Sequence, residues 1–264
     1  MTLSDPPHGS PATLLPATQQ WLPLQGRAEQ LMLLLHGWGA RPAAMAPLAR
    51  QLRLAFPQAA MLAPEGFEPA DQGEPGRQWF SLIGVTEANR PDRVAAVLPR
   101  LAAWVRAAQA ATGLGPVHTA LVGFSQGAIL ALELAQAEDG LAGRVLAFAG
   151  RYARLPAVAP AATTLHLLHG ADDAVISAAQ SRLAIDRLAA LHGDATVDIA
   201  LGVGHALPPA LVATAIGRLQ THIPHRTWQA ALGQMPGLAA MGQVPGLAAR
   251  QANQDPEPPA PRKP

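Results

Sequence analysis

Residues 121–130 read LVGFSQGAIL: an apolar run ends at a glycine, one serine follows, and a second apolar run begins after another glycine. The first run has the length of a buried strand, and the second begins a longer apolar segment of helical length. Ser125 then lies at the turn in the order G-x-S-x-G. The stretch therefore predicts a strand, a sharp turn and a helix, with a serine hydroxyl at the turn.

A turn of this kind, called a nucleophile elbow, holds its serine in a strained backbone conformation that lifts the hydroxyl out of the sheet. The flanking Gly123 and Gly127 let the strand and helix approach without clashes between Cβ atoms. At the helix N-terminus, the backbone N–H of Gln126 can face a negative oxygen that develops on a substrate. The alternative interpretation is an ordinary glycine turn before a helix, so the rest of the chain has to decide.

A serine nucleophile needs a base, and the base needs an acid that fixes its tautomer. In folds with this elbow, the acid and then a histidine follow the serine along the chain. Residues 167–176, LLHGADDAVI, present Asp172 and Asp173 in the turn after a candidate strand, and residues 201–207, LGVGHAL, place His205 in a glycine-flanked loop. The residue pattern leaves Asp172 and Asp173 as alternatives.

A second donor to the developing oxyanion normally comes from the loop after an early strand. Residues 33–42, LLLHGWGARP, contain such a loop. We place the backbone N–H of Trp38 in this role, with His36 and the glycines shaping the turn.

Short apolar runs alternate with longer amphipathic segments, a pattern that predicts an α/β fold with a mostly parallel central sheet and helices on both faces. The candidate strands begin at residues 31, 59, 118, 144, 164 and 196. Two helices are predicted from their start and stop residues, one from Pro91 to Gly113 and one from Ser177 to Gly193.

The 264 residues, 49% of them hydrophobic, suffice for one core and one domain. Residues 1–20 are rich in Pro, Ser and Thr and are predicted to be a flexible lead-in. We assign residues 21–225 to the catalytic domain. Residues 226–264 are predicted to be a mobile tail, because they are rich in Pro, Gly and Ala and carry a nine-residue near-repeat, GQMPGLAAM followed by GQVPGLAAR.

The composition excludes several classes of function. Lys and Arg total 19 against 18 Asp and Glu, and they form no stripe, so we expect no nucleic-acid partner. The absence of cysteine excludes disulfides and a thiol nucleophile. Without a secretory signal or a long apolar run, the protein is expected to be cytoplasmic, without stable membrane insertion.

His166 and His169 form an HxxH, which we interpret as two sheet positions on opposite faces rather than as a metal site.

Residues 64–84, PEGFEPADQGEPGRQWFSLIG, form a long segment rich in Gly, Pro and acidic residues. Long loops of this kind often carry function, so Arg77, Trp79 and Phe80 are candidates for the substrate pocket. The alternative is a surface excursion whose aromatic side chains are tucked into the core.

The motifs LLLHGWG, RQWF, GFSQGAI, HGADDAV and GHAL, in that order within residues 31–223, resemble the phospholipase/carboxylesterase family of α/β-hydrolases, which includes the acyl-protein thioesterases. The resemblance implies the α/β-hydrolase fold, with Ser125 as nucleophile, His205 as base and Asp173 rather than Asp172 as acid. By the same resemblance, the N–H groups of Trp38 and Gln126 form the oxyanion hole. The chain departs from many relatives at Ala40, where they carry Asp, and at Ala174, where they carry Pro.

Together, the motifs and the resemblance predict a serine carboxylesterase. It would cleave small-molecule esters of short to medium acyl chains through an acyl-enzyme, with no metal or cofactor. One alternative is an acyl-protein thioesterase or lysophospholipase that acts on long acyl chains. An alternative of another class is an inactive binding module with the hydrolase fold. The sequence leaves open whether the protein forms a homodimer.

Overall fold

The computed structural model describes residues 18–233. The described residues divide into two compact units, residues 18–222 and 223–233. The strands are β1 (Thr18–Trp21), β2 (Gln30–Leu35), β3 (Ala59–Pro64), β4 (Glu68–Pro69), β5 (Arg77–Gln78), β6 (Thr119–Phe124), β7 (Arg144–Phe148), β8 (Thr164–Gly170) and β9 (Ala195–Ala200). The α-helices of the first unit are α1 (Ala46–Ala55), α2 (Arg90–Thr112), α3 (Gln126–Ala137), α4 (Ala179–Ala190) and α5 (Pro209–Thr221), and the second unit contains α6 (His225–Gly233).

Seven strands form one sheet in the order β1-β3-β2-β6-β7-β8-β9. All neighbouring pairs are parallel except β1 with β3, and the two-residue strands β4 and β5 form a separate antiparallel pair. The six predicted strands are confirmed. Strand β1 was not predicted, because its sequence TQQW has no apolar run and it lies half-buried at the sheet edge.

Side chains that alternate along the strands divide the interior into two cores. On β2, Leu31, Leu33 and Leu35 pack into the core that contains α2, α3 and α4. Met32 and Leu34 point to the opposite face and pack with residues of α1 and α5. Because successive side chains of a strand point to opposite faces, a strand covered on both sides is apolar throughout. The predicted fold class, a mostly parallel sheet with helices on both faces, is confirmed.

The ends of the predicted helices agree with the structure to within a few residues. Helix α2 ends at Thr112, and Gly113 follows with a left-handed φ of 70°, the conformation that favours glycine at a helix end. The predicted N-cap, Ser177, lies one residue too early, because Ala178 is the residue that precedes α4. Ser177 still accepts a hydrogen bond from the Ala179 N–H at 3.3 Å.

Two elements of the structure lie at the predicted domain limits, which remain predictions. Strand β1 begins at Thr18, inside the predicted lead-in, and α6 spans the predicted start of the tail at residue 226. The near-repeat, apart from Gly233, and residues 1–17 lie outside the described residues. Within residues 18–233, no helix is long and apolar enough to cross a membrane.

Helix α3 packs against the centre of the sheet at very short range. A Cβ atom added to Gly123 would lie 2.3 Å from the carbonyl oxygen of Gly127. A Cβ atom added to Gly127 would lie 2.2 Å from the carbonyl oxygen of Leu35, on the neighbouring strand β2. Both distances are far below van der Waals contact, so both glycines of the G-x-S-x-G stretch are required by backbone packing.

We expect Gly127→Ala to lower the free energy of unfolding by about 1–3 kcal/mol or more, because α3 must move away from the sheet. Gly217→Ala in α5 is the matched control, since its added Cβ meets no atom within 4 Å. That change should be neutral or stabilising by up to about 1 kcal/mol. Urea unfolding of both variants checks this, and equal stabilities would contradict it.

Candidate active site

Ser125 lies between β6 and α3 in a backbone conformation that residues other than glycine rarely adopt. Its φ is 55° and its ψ is −116°. The Ser125 N–H donates a hydrogen bond of 2.9 Å to the carbonyl oxygen of Phe148, at the end of β7. Non-glycine residues persist in such conformations only where their surroundings hold them there, and these positions cluster at functional sites.

The structure brings Ser125, His205 and Asp173 into one hydrogen-bonded chain. The Ser125 hydroxyl lies 2.9 Å from Nε2 of His205, and Nδ1 of His205 lies 2.7 Å from Oδ2 of Asp173. With Nδ1–H donating to the carboxylate, Nε2 accepts from the serine hydroxyl. The arrangement has the geometry of a nucleophile, a base and an acid that orients the base.

Asp172, the other residue left open by the pattern, is exposed. Its backbone N–H donates a 2.9 Å hydrogen bond to the carbonyl oxygen of Val203. This bond ties the turn after β8 to the loop that carries His205. The two adjacent aspartates therefore have different positions, with the Asp173 side chain buried against the histidine.

Hydrogen-bond donors surround the Asp173 carboxylate. The N–H groups of Val175 and Ile176 both donate to Oδ1 at 2.9 Å, while His205 donates to Oδ2. Burial alone would raise the pKa of Asp173, but the hydrogen bonds from His205, Ile176 and Val175 outweigh it and hold the pKa below its ordinary value. The carboxylate is therefore ionised at neutral pH.

His169 contacts the same carboxylate and was not predicted as a site residue. Its Nε2 donates to the carbonyl oxygen of Ile176 at 2.7 Å and lies 3.2 Å from Oδ2 of Asp173. Its Nδ1 lies 2.8 Å from the Ser181 hydroxyl. Burial lowers the pKa of His169 below its ordinary value, so the ring is neutral and adds no charge beside Asp173.

Both histidines of the HxxH lie on β8, as predicted. Nδ1 of His166 lies 2.9 Å from the Thr196 hydroxyl, and burial is the main cause that lowers the pKa of His166 to about 3. No group of three or more His, Asp or Glu side chains in the described part of the chain could hold a metal ion.

Two free backbone donors belong to residues that line the cavity beside Ser125, one in the loop after β2 and one at the first residue of α3. Within residues 18–233, the backbone N–H groups of Trp38 and Gln126 donate to no protein acceptor, and both residues line the cavity beside Ser125. The loop is held by His36, whose Nδ1 donates to the Gly37 carbonyl oxygen at 2.7 Å. Its Nε2 accepts from the Gly66 N–H at 2.9 Å.

Two features keep this loop in place. Burial lowers the pKa of His36, so the ring stays neutral and Nε2 remains an acceptor. At Ala40, where many relatives carry Asp, the backbone bonds to Arg77: the Arg77 N–H donates to the Ala40 carbonyl oxygen at 2.8 Å. The loop is thus supported by main-chain bonds that do not depend on the side chain at position 40.

Two of the three predicted pocket residues lie elsewhere. Trp79 is fully buried, and its Nε1 donates to the carbonyl oxygen of His36 at 2.8 Å. The Arg77 guanidinium donates to the carbonyl oxygen of Gly66, and Arg77 does not line the cavity beside Ser125. Of the three predicted pocket residues, Phe80 alone lines the cavity beside Ser125. For Trp79, the alternative interpretation from the sequence, an aromatic side chain tucked into the core, is therefore the one observed.

The Gln126 side chain has a role that the sequence did not reveal. Its Oε1 accepts a hydrogen bond from the Trp79 N–H at 2.9 Å, and its Nε2 donates to the Phe80 carbonyl oxygen at 2.7 Å. The first residue of α3 therefore fixes the end of the long segment against the serine turn.

A cavity of about 270 Å³ opens beside Ser125. Its wall is largely apolar, with a few polar groups, as is typical of small-molecule sites. The lining residues are Trp38, Phe80, Leu82, Val85, Arg90, Ser125, Gln126, Ile129, Arg151, Val175, Ile176, Ser177 and Gln180.

The chain is similar to known proteins over most of its length. Residues 23–223 match the family described as Phospholipase/Carboxylesterase. The chain is 46% identical over 212 residues to Esterase YpfH of Escherichia coli (strain K12), covering 80% of this chain and 90% of that protein. The crystal structure of esterase PE8 superposes with a TM-score of 0.70 at 28% identity, covering 78% of this chain and 99% of the other.

A more distant structure has the same fold. The Bacillus cereus carboxylesterase superposes with a TM-score of 0.66 at 18% identity, covering 77% of this chain and 92% of the other.

The strain at Ser125 leads to a prediction about stability. Ser125→Gly and Ser125→Ala both remove the hydroxyl, but only glycine adopts φ 55° and ψ −116° without a steric penalty. We expect the glycine variant to be the more stable of the two by about 1 kcal/mol. Urea unfolding measures the difference, and an alanine variant at least as stable as the glycine variant would refute the strain.

Proposed function

This chain belongs to the phospholipase/carboxylesterase family and is a carboxylic ester hydrolase, and on that premise we propose that Ser125, His205 and Asp173 are its catalytic triad. The observation that carries the proposal is the chain of two hydrogen bonds, 2.9 Å and 2.7 Å long, that joins the three side chains.

In the first half-reaction, Nε2 of His205 takes the proton of the Ser125 hydroxyl as its oxygen attacks the ester carbonyl carbon. The carbonyl oxygen becomes negative and accepts hydrogen bonds from the N–H groups of Trp38 and Gln126. His205 then gives the proton to the alcohol, which leaves, and the acyl group stays on Ser125.

In the second half-reaction, His205 takes a proton from a water molecule, which attacks the acyl-enzyme. The proton returns to Ser125 as the carboxylic acid leaves. Throughout, the Asp173 carboxylate accepts the Nδ1–H of His205 and stabilises the imidazolium that forms. The hydrogen bonds that keep the pKa of Asp173 low support this role, because the acid must remain ionised.

The size of the cavity supports esters of short to medium acyl chain. At about 270 Å³ it lies just below the usual range of small-molecule pockets, which is roughly 300–1,000 Å³. An acyl-protein thioesterase or a lysophospholipase acts on a long acyl chain. Such a chain would have to extend beyond this cavity. Because the chain is an ester hydrolase, we set aside the interpretation as an inactive binding module.

We expect hydrolysis of p-nitrophenyl acetate and butyrate, with p-nitrophenyl palmitate a much poorer substrate because its chain exceeds the cavity. Ser125→Ala should abolish the activity on all three. Release of p-nitrophenol measures each rate. Palmitate as the best substrate would favour the long-chain alternative, and activity that survives in Ser125→Ala would refute the assignment of the nucleophile.

The two adjacent aspartates offer a matched test of the acid. Asp173→Asn should lower kcat by roughly 10⁴-fold, because an amide in place of the carboxylate favours the wrong tautomer of His205. Asp172→Asn, a change at the exposed neighbour, should leave kcat within about twofold of the parent, since surface substitutions rarely perturb a site. Steady-state kinetics on p-nitrophenyl butyrate distinguish them, and a large loss in Asp172→Asn instead would reverse the assignment.

A further inference from the structure

Two arginines line the wall of the cavity beside Ser125. Arg90 is the first residue of α2, and Arg151 follows β7. Among the described residues that line this cavity, they are the only charged ones. The catalytic steps proposed above use neither of them, so the presence of two charged side chains in a largely apolar wall calls for another explanation.

One carboxylate is shared between these two guanidinium groups. Arg151 donates from both of its terminal nitrogens to Glu87, at 3.0 and 2.6 Å, and Arg90 donates to the same carboxylate. The cluster therefore carries two positive charges and one negative charge. Hydrogen bonds from Arg90 and Arg151 lower the pKa of Glu87, so the net charge is +1 at neutral pH.

The burial of the three side chains shows which charge faces the cavity. The Arg90 and Arg151 side chains are each 16% exposed, whereas the Glu87 side chain is 68% exposed and does not line the cavity. Within residues 18–233, the Arg90 guanidinium donates to no acceptor except Glu87. Arg90 thus retains N–H donors for a ligand, while Glu87 holds both arginines from the solvent side.

From this cluster we infer that Arg90 and Arg151 form an anion subsite, and that the preferred substrate is an ester with a carboxylate in the part that occupies the cavity. A guanidinium pairs with a carboxylate through two parallel N–H···O bonds, and such pairs are stronger than hydrogen bonds between neutral groups. A partly enclosed cavity screens the attraction less than bulk solvent does. Ser177 and Gln180 line the same cavity and offer further neutral hydrogen-bond donors.

The inference rests on the proposed ester hydrolysis at Ser125, and two matched pairs of esters test it. For the acyl side, mono(4-nitrophenyl) adipate is compared with 4-nitrophenyl hexanoate. For the alcohol side, 4-acetoxybenzoate is compared with its neutral amide, 4-acetoxybenzamide. The readout for each pair is kcat/KM of the anionic ester divided by that of the neutral ester, after subtraction of uncatalysed hydrolysis.

We expect a ratio above one in at least one pair, and that pair identifies the side of the ester that carries the anion. Arg90→Gln should lower this ratio about tenfold or more, the usual effect of losing a hydrogen bond to a charged group. Glu87→Gln should raise it about three- to tenfold, because both arginines lose their counter-charge. High salt should reduce the ratio of the parent enzyme.

Arg106→Gln is the control, since Arg106 pairs with Glu138 and does not line the cavity. It should leave both ratios unchanged. Because Glu87→Gln and Arg90→Gln are expected to act in opposite directions, a general loss of folding cannot imitate the result. Ratios near one in both pairs, or ratios that neither variant alters, would overturn the anion subsite. If no ester of either pair is hydrolysed in a Ser125-dependent manner, the proposed function itself fails.

Discussion

The close contact between helix α3 and the two central strands is the constraint on which the site depends. Gly127 approaches the carbonyl oxygen of Leu35 so nearly that no side chain fits between them. This contact brings the first turn of α3 beside the loop that follows β2. As a result, Gln126 and Trp38 line the same cavity as Ser125, and the Gln126 side chain reaches Trp79 and Phe80.

The order of the strands supplies the other half of the site. Because β6, β7, β8 and β9 are parallel neighbours, their carboxyl ends meet at one edge of the sheet. Ser125, Asp173 and His205 each follow one of these ends. The Asp173 carboxylate is then held by two backbone N–H groups and two histidines, of which His169 stays neutral through burial. The negative charge of Asp173 is thus stabilised by hydrogen bonds, while the neutral His169 adds no second positive charge beside it.

The sequence predicted those parts of the molecule that depend on local patterns. The six predicted strands could be identified because each is a short run rich in apolar residues, and Ser125 because glycines flank it at fixed spacing. Distances between Asp173 and His205 could not be derived, since they depend on how the loops after β8 and β9 fold, and residue type alone did not separate Asp172 from Asp173. Trp79 was placed at a pocket wall because neighbouring Gly and Pro suggest exposure, whereas its indole N–H bonds to the loop after β2 and draws it into the core.

The groups proposed for the reaction and the walls of the cavity come from different parts of the chain, and this division bears on specificity. The reacting groups follow strand ends, but Phe80, Leu82 and Val85 belong to the long connection between β3 and α2. Many hydrogen bonds hold this connection, in which the strands β4 and β5 are only two residues long. Asp71 accepts hydrogen bonds from the Ser81 hydroxyl at 2.9 Å and the Leu82 N–H at 2.7 Å, and its hydrogen bond with Gln78 is the largest cause of a pKa below the ordinary value.

On the helix side of this connection, Arg93 donates to the carbonyl oxygens of Ser81 and Ile83, both at 2.8 Å. This part of the cavity wall is therefore fixed by side chains that do not themselves line the cavity. Substitutions within this connection can change the size and charge of the cavity while the hydrogen bonds among Ser125, His205 and Asp173 stay intact. For this reason the G-x-S-x-G stretch and its partners indicate a reaction class, whereas the anion subsite proposed for the choice of ester lies at Arg90 and Arg151.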